Sequence, residues 1–360
     1  MDVFRFLKDI AKPIGGGLQA AVASRGGFQN ICNLNLECNN SITIQIEISE
    51  DESSATPIWE YELVFSQQHA LTTTEVVTEN IRSDNSDVGY TMSLGGGFGA
   101  AIGHTPLSRE GLGAACIRQT ALEQESLSQN FRPLTHFFSN ITYLHAVPQL
   151  IKFNSSIGGR TLENDPFGQA FLDKIANTDE LERTEFLSKI QDVLVDVLPN
   201  LQIIEFYSDT KGRPQLRAKF SNHNSAAGWQ NQEQFSDGTL RLIALFWQLL
   251  DGDDTLLLEE PELSLDEDII RQLPRMIDEL NRTDDDKPKR QIIISTHSSA
   301  MLENKGIDAR YVLRLETGEG GTKIHAISED DKTLIMSGFS AAEVILPKVH
   351  PKNASKMSIL

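Results

Sequence analysis

The chain has 360 residues, enough for one large or two ordinary domains with a sizeable buried core. With 39% hydrophobic residues, 23% charged residues and only 13 prolines, its composition excludes wholesale disorder. Asp+Glu number 51 against 32 Lys+Arg, a formal charge of −19. Such a surface as a whole repels phosphate and excludes a protein that grips nucleic acid all over, while leaving a local basic groove open.

Helical spacing of Val3, Phe6, Leu7 and Ile10 places the start of the chain inside a helix. Ala21-Val22-Ala23 mimics a cleavage site, but charges at Asp2, Arg5, Lys8, Asp9 and Lys12 leave no apolar stretch for a signal peptide. No apolar run reaches the ~20 residues of a membrane span. Three cysteines (Cys32, Cys38, Cys116) make an odd count without metal-ligand spacing, which suits thiols in a reducing cytoplasm.

Ile42, Ile44, Ile46 and Ile48, then Trp59, Tyr61, Leu63 and Phe65, alternate with polar residues and predict a half-buried antiparallel meander. Residues 82–130 are polar and Gly/Ser-rich around Gly95-Gly96-Gly97-Phe98-Gly99 and read as a long loop or lid. An apolar stretch, Ile141 to Ile151, is interrupted by Pro148. Amphipathic helices follow over Phe167–Ala176 and Glu180–Leu198, then a hairpin over Leu201–Phe220 turning at Lys211-Gly212.

From Ser236 onward helices and strands alternate. A helix starts near Ser236, a strand covers Thr255–Leu258, and a helix runs Asp266–Leu280 with a kink expected at Pro274. A second strand covers Ile292–Ile294, a short helix starts at Ser298, and Arg310–Glu316 with Thr322–Ile327 reads as a closing hairpin. This order predicts a mostly parallel, helix-covered sheet. Glu329-Asp330-Asp331 reads as a solvated acidic turn.

Three segments carry chemistry. In Thr255-Leu256-Leu257-Leu258-Glu259-Glu260-Pro261-Glu262, a continuous apolar run predicts a strand buried on both faces, and ligands of open α/β sheets sit beyond such carboxyl ends. Glu259 and Glu260, on opposite faces, can divide the labour of holding Mg²⁺ and activating water; a solvated acidic turn is the plainer alternative. Ile292-Ile293-Ile294-Ser295-Thr296-His297 repeats the design, a buried strand ending in a polar switch. His297 then shares the edge with the acids if the two strands are neighbours, where an imidazole can donate to a phosphate oxygen. Phe235-Ser236-Asp237-Gly238-Thr239 opens an apolar helix, with Ser236 as N-cap and Gly238 allowing close approach where the helix dipole attracts an anion.

In this order the three segments resemble the C-terminal half of an ABC-type nucleotide-binding domain of the clade that contains SMC and recombination-repair ATPases, and look closest to bacterial AAA family ATPases of that clade. The resemblance implies an α/β P-loop NTPase fold of ABC/SMC type with an antiparallel β subdomain and a helical insertion, and it spans most of the chain. It makes Phe235–Thr239 the signature motif, with Ser236 and Gly238 contacting phosphate. It makes Glu259 the Walker B metal position, Glu260 the catalytic base, Leu265-Asp266 the D-loop with Asp266 as a nucleotide-side residue, and His297 the switch histidine. Ser24-Arg25-Gly26-Gly27 and Tyr143–Gln149 also look like family features, without assigned chemistry. Implied are ATP and Mg²⁺ as cofactors, a cytoplasmic location, and a homodimer or related ATPase subunit as partner; DNA or a nuclease partner is left open.

Two departures stand out. Glu259 is one methylene longer than the family's usual Asp, and Gly-x-x-x-x-Gly-Lys-Ser/Thr is absent. Gly158-Gly159-Arg160-Thr161, the nearest approach, lacks the lysine and first glycine and reads as a loop. The expectation is a single composite ATPase domain over 1–360 that begins just downstream of its own Walker A. It comprises a P-loop helix remnant and β subdomain at 1–81, a lid loop and helical insertion at 82–200, and a catalytic lobe at 201–360. As written it is expected to hydrolyse ATP negligibly. The alternative is a non-catalytic interaction protein that dimerises through the signature face with an intact ATPase.

Overall fold

The computed structural model describes residues 1–32, 41–49, 54, 56–67, 73–84, 89–93, 99–102, 105–106, 117–124, 129–154, 162, 165–221, 228–281, 290–318 and 321–348. Cys38, Cys116, residues 95–98 of the glycine run and Gly158-Gly159-Arg160-Thr161 lie outside the described residues. The chain is α/β and divides into two compact units. The first is Met1–Ile141 with Thr317–Gly321, the second Thr142–Glu316 with Thr322–Leu360.

In the first unit, α1 (Asp2–Ala11) buries Phe6, Leu7 and Ile10, three of the four residues whose spacing predicts it; Val3 is exposed. Six antiparallel strands follow in sequential order: β1 (Ser41–Ile48), β2 (Trp59–Ser66), β3 (Glu75–Ser83), β4 (Gly89–Ser93), β5 (Gly99–Ile102) and β6 (Thr105–Pro106). Alternation on β2 turns Tyr61, Leu63 and Phe65 to the core, where Phe6 of α1 stacks on Phe65 at 5.4 Å between ring centroids. β1 is an edge strand and buries only Ile44 fully. The reading of 82–130 as a loop is corrected here. Tyr90 and Met92 of β4 are buried on alternate positions, and two such residues suffice to seat a strand whose other face meets water. Arg25, after the short helix α2 (Leu18–Ala23), bonds Asp2 and Asp9 and lies over the Phe6 ring at 5.1 Å.

The second unit holds a parallel sheet of three strands. Central β11 (Leu256–Glu259) is flanked by β7 (Thr142–Leu144) and β12 (Ile292–Ser295), with Leu256 opposite both Thr142 and Ile292. Leu256, Leu257 and Leu258 are buried, as their unbroken apolar run requires. β12 is only half-buried throughout, a correction to the reading of a second buried strand: among the described residues it pairs with β11 alone and stands at the sheet edge. A separate antiparallel sheet carries the hairpin β8 (Leu201–Ser208) and β9 (Pro214–Phe220) with β10 (Trp229–Asn231).

The apolar stretch at 141–151 is split by Pro148 into β7 and a helix, α5 (Pro148–Lys152), in which the proline occupies the first turn where its missing N–H costs nothing; α3 (Phe28–Ile31) and α4 (Arg132–Asn140) precede it. Two helices, α6 (Phe171–Asn177) and α7 (Glu180–Val195), lead to α8 (Asp237–Leu250), where Phe171 and Phe186 meet Trp247 edge-on. From Leu240 to Leu249 all of α8 except Gln248 is buried, so it is the core helix of this unit. Arg290, itself buried, donates to the carbonyls of Gln248 and Asp254 and so ties the end of α8 to the start of β11. α9 (Glu267–Asn281) buries Ile270, Leu273, Met276, Ile277 and Leu280 on one face and continues through Pro274.

After α10 (Ser299–Leu302), β13 (Leu313–Gly318) and β14 (Gly321–Ala326) pair as the expected hairpin. The acidic Glu329-Asp330-Asp331 is not a turn but the first turn of α11 (Glu329–Met336): Ser328 caps it, and acids there complement the helix dipole. Asp331 is buried and bonded to Lys348 at 2.5 Å. A final helix, α12 (Ala341–Ile345), opens with a capping box from Ser340 and Glu343. Among the described residues no helix is long and apolar enough to cross a membrane.

Candidate nucleotide site at the carboxyl edge of the parallel sheet

β11 and β12 pair in register, so Glu259 stands opposite Ser295 and the chain leaves both strands at one edge. There Glu260 and His297 meet, His297 Nε2 lying 3.4 Å from Glu260 Oε1. The imidazole is 91% exposed and the carboxylate 30%, so the pair faces solvent with one side anchored. Glu260 adopts the left-handed conformation (φ 45°), rare for a residue with a side chain. Its N–H donates to the carbonyl of Ser295 at 3.0 Å, and the left-handed turn at Glu260 ends the extended backbone of β11.

Glu259 is held differently. The Tyr143 hydroxyl donates to its Oε2 at 2.7 Å, and His145 Nδ1 donates to its carbonyl at 3.1 Å. Both come from β7 and the residues just after it, the Tyr143–Gln149 stretch that sequence reasoning leaves without a role. The same segment reaches the signature helix. Gln149 Nε2 and Lys152 Nζ, on α5, bond the two oxygens of Asp237 at 2.6 and 2.5 Å. One short segment thus ties the acid end of β11 to the start of α8.

At the N-terminus of α8, Ser236 Oγ accepts from the Thr239 N–H at 3.0 Å and lies 2.8 Å from Thr239 Oγ1, the capping geometry its position predicts. Gly238 is buried, and a Cβ built there would lie 2.8 Å from the Ser264 carbonyl and 3.1 Å from Leu265 Cδ2. Within this chain, the group that approaches Gly238 is therefore the backbone that follows the acids. Asp266 is exposed and caps α9, its Oδ1 accepting from Asp268 N–H at 2.9 Å. The structure brings together Glu259, Glu260 and His297 at one edge and packs Gly238 against Ser264-Leu265; it places no bond between Ser236 and either acid.

Two further residues belong to this edge: Glu262, which the sequence already places among the acids there, and Arg241, which it leaves without a role. Glu262, 7% exposed, accepts through Oε1 from Thr296 Oγ1 and from His297 N–H at 3.3 Å. Arg241, 6% exposed, sits in the core helix; burial lowers its pKa, while the charges of Asp237, Glu262 and Glu260 oppose that effect. It is the one charged residue between Leu240 and Leu250, which marks it in the sequence without showing what it faces. Among the described residues no three His, Cys, Asp or Glu converge as a cation cage. The half-buried Glu259 carboxylate with its oriented Oε2 fits a cation that fills the rest of its shell with phosphate oxygens and water, the habit of Mg²⁺.

Among solved structures, an SmcHead bound to the C-winged helix domain of ScpA is 13% identical, covering 91% of this chain and 87% of that chain, with a TM-score of 0.41. The SMC head domain from Thermotoga maritima is also 13% identical, covering 78% of this chain and 79% of that chain, with a TM-score of 0.35. No curated protein matches the sequence. The family model described as "AAA domain, putative AbiEii toxin, Type IV TA system" matches residues 1–303, and the chain belongs to that family.

Proposed function

We propose that the chain is an ABC/SMC-type ATPase whose nucleotide edge is built by Glu259, Glu260 and His297 and completed by the signature turn of a second protomer. The observation that carries this reading is the approach of His297 to Glu260 at 3.4 Å, beyond the ends of two hydrogen-bonded parallel strands. Glu259, oriented by Tyr143, would hold Mg²⁺, which when bound offsets charge on the phosphates. Glu260 orients the attacking water and takes its proton, and His297 donates toward a terminal phosphate oxygen. Ser236 and Gly238 present the start of α8, with its dipole and N–H groups, to the nucleotide of the facing protomer, and Asp266 lies beside that junction. Closure of two protomers around ATP is then the output a partner reads. A homodimer or a related ATPase subunit fits this arrangement, and a cytoplasmic, reducing setting fits the cysteine pattern.

The 360 residues contain no Gly-x-x-x-x-Gly-Lys-Ser/Thr, so on this reading they turn over ATP negligibly by themselves. The same observation favours the second reading, an interaction protein that lends Ser236 and Gly238 to an intact ATPase. ATP turnover measured with these 360 residues, and with the reading frame extended upstream, separates the two. Turnover in the extended protein that is lost in Glu260→Gln supports the ATPase. Turnover indifferent to Glu260 overturns it, Glu260-dependent turnover by the 360 residues alone overturns the expectation of negligible activity, and an upstream frame without a P-loop favours the interaction protein.

A further inference from the structure

The loop between Glu260 and Leu265 is gripped from two sides. On one side the Ser264 carbonyl fills the space beside Gly238 of α8; on the other, Glu262 Oε1 holds Thr296 Oγ1 and the His297 N–H. Backbone bonds from Leu263 N–H to the Glu260 carbonyl and from Leu265 N–H to the Glu262 carbonyl make the loop a compact turn, so a displacement at one side is passed to the other.

Three buried polar atoms stand out, two on α8 and one on this loop. Nε and Nη1 of Arg241 and Oε2 of Glu262 make no hydrogen bond among the described residues, although both side chains are more than nine-tenths buried. An unpaired buried donor or acceptor is costly, more so when charged, so a buried guanidinium within the apolar run of α8 needs a compensating charge. The charges that act on it are Asp237, Glu262 and Glu260, one from the signature turn and two from the acid loop. A solitary carboxylate in the same interior would be unfavourable; Arg241, three residues along α8 from the Gly238 that packs against Ser264 and Leu265 of this loop, is a buried cation placed to act on it.

We propose that Glu262 is the positioning residue that sets His297 beside Glu260, and that Arg241 acts through Glu262 to couple the signature helix α8 to the His297 loop. Neither touches nucleotide. Movement of α8 when a facing nucleotide engages Ser236 would act on Arg241, one turn further along, and through Glu262 on the placement of His297. This coupling rests on the ATPase reading for its purpose, but its physical content does not need nucleotide.

The test is amide hydrogen exchange at His297 and Ser298 in the full chain, with urea denaturation to report global stability. Glu262→Gln keeps the shape and replaces a charge-assisted acceptor by a neutral one, so exchange at His297 should rise about tenfold with α9 protection unchanged. Arg241→Met should raise the same amide's exchange, although Arg241 bonds neither Thr296 nor His297, and Arg241→Lys should restore most of the protection. In the double variant Glu262→Gln/Arg241→Met the rise should fall well short of the product of the single effects. Multiplicative single effects, no rescue by lysine, or a rise spread evenly over α8, α9 and β11 would overturn the proposal by making Arg241 a packing residue only. Exchange coupling without Glu260-dependent turnover in the extended protein would refute the ATPase reading and leave the coupling standing; the converse would refute the coupling alone.

Discussion

Tyr143 donates its hydroxyl hydrogen to Glu259 Oε2 at 2.7 Å, from the strand hydrogen-bonded beside it. The bond fixes which way the carboxylate faces. Tyr143→Phe removes it while keeping the ring, and should lower stability by about 1 kcal/mol. If Glu259 holds Mg²⁺, the same change should weaken Mg²⁺ dependence of nucleotide binding by about 10- to 100-fold in a P-loop-complete protein, the usual effect of losing a group that orients a ligand. A titration against Mg²⁺ that superimposes on wild type would remove Glu259 from the metal position.

Gly238 bears on folding before it bears on phosphate. A methyl group there meets the Ser264 carbonyl at 2.8 Å, backbone that can yield only by moving the acid loop. Gly238→Ala should therefore cost about 1–3 kcal/mol, readable in urea denaturation, in spite of alanine's better helix propensity. A neutral or stabilising result would mean that the loop gives way easily and that Gly238 has no packing role.

Glu260 carries its carboxylate on left-handed backbone. Asn tolerates that region far better than Ala, so Glu260→Asn should be more stable than Glu260→Ala by about 0.5–1 kcal/mol, while both lose the carboxylate that faces His297. Equal melting of the two variants would show that the turn relaxes once the side chain is cut.

In the first unit, burial pushes the Glu79 carboxyl up to about 8, against the opposing hydrogen bonds from the Ala121 N–H at 2.7 Å and the Tyr61 hydroxyl at 3.0 Å; the neighbouring Glu123 charge adds to the rise. The folded protein then keeps a proton that the unfolded chain releases near its ordinary value of 4.5. Unfolding releases that proton between these limits, so stability should be greatest at the acid end of the window and fall as pH rises toward about 8. The slope should approach roughly 1.4 kcal/mol per pH unit. Glu123, also raised by burial, acts in the same direction, so Glu79→Gln should flatten the dependence without abolishing it. Denaturation at pH 5 to 9 checks this, and parallel profiles for the two proteins would assign the proton elsewhere.

The site was legible in the sequence where a local pattern carries the physics. Leu256-Leu257-Leu258 before two acids has the length and unbroken apolar run of a strand with water excluded from both faces, and Ser236 before an apolar run is a favoured cap. Both stand as read. Tyr143, Lys152, Arg241 and Glu262 were not recognised as partners, because each acts through a residue 34 or more positions away or through burial, which no local window records. The loop reading of 82–130 failed for a related reason: Gly- and Ser-rich composition describes the solvent face of β4, whereas its two buried side chains, Tyr90 and Met92, decide that it is a strand.

Composition and period by themselves determined an acidic α/β protein with an antiparallel meander first and a parallel sheet with its acids at a strand end later, since apolar spacing dictates which faces leave water. Only the tertiary structure decided that β11 and β12 are neighbours in register, bringing Glu260 to His297. It alone placed a second layer of Tyr143, Lys152, Glu262 and Arg241 around them, because strand order and the burial of charge are set by packing between elements far apart in the chain.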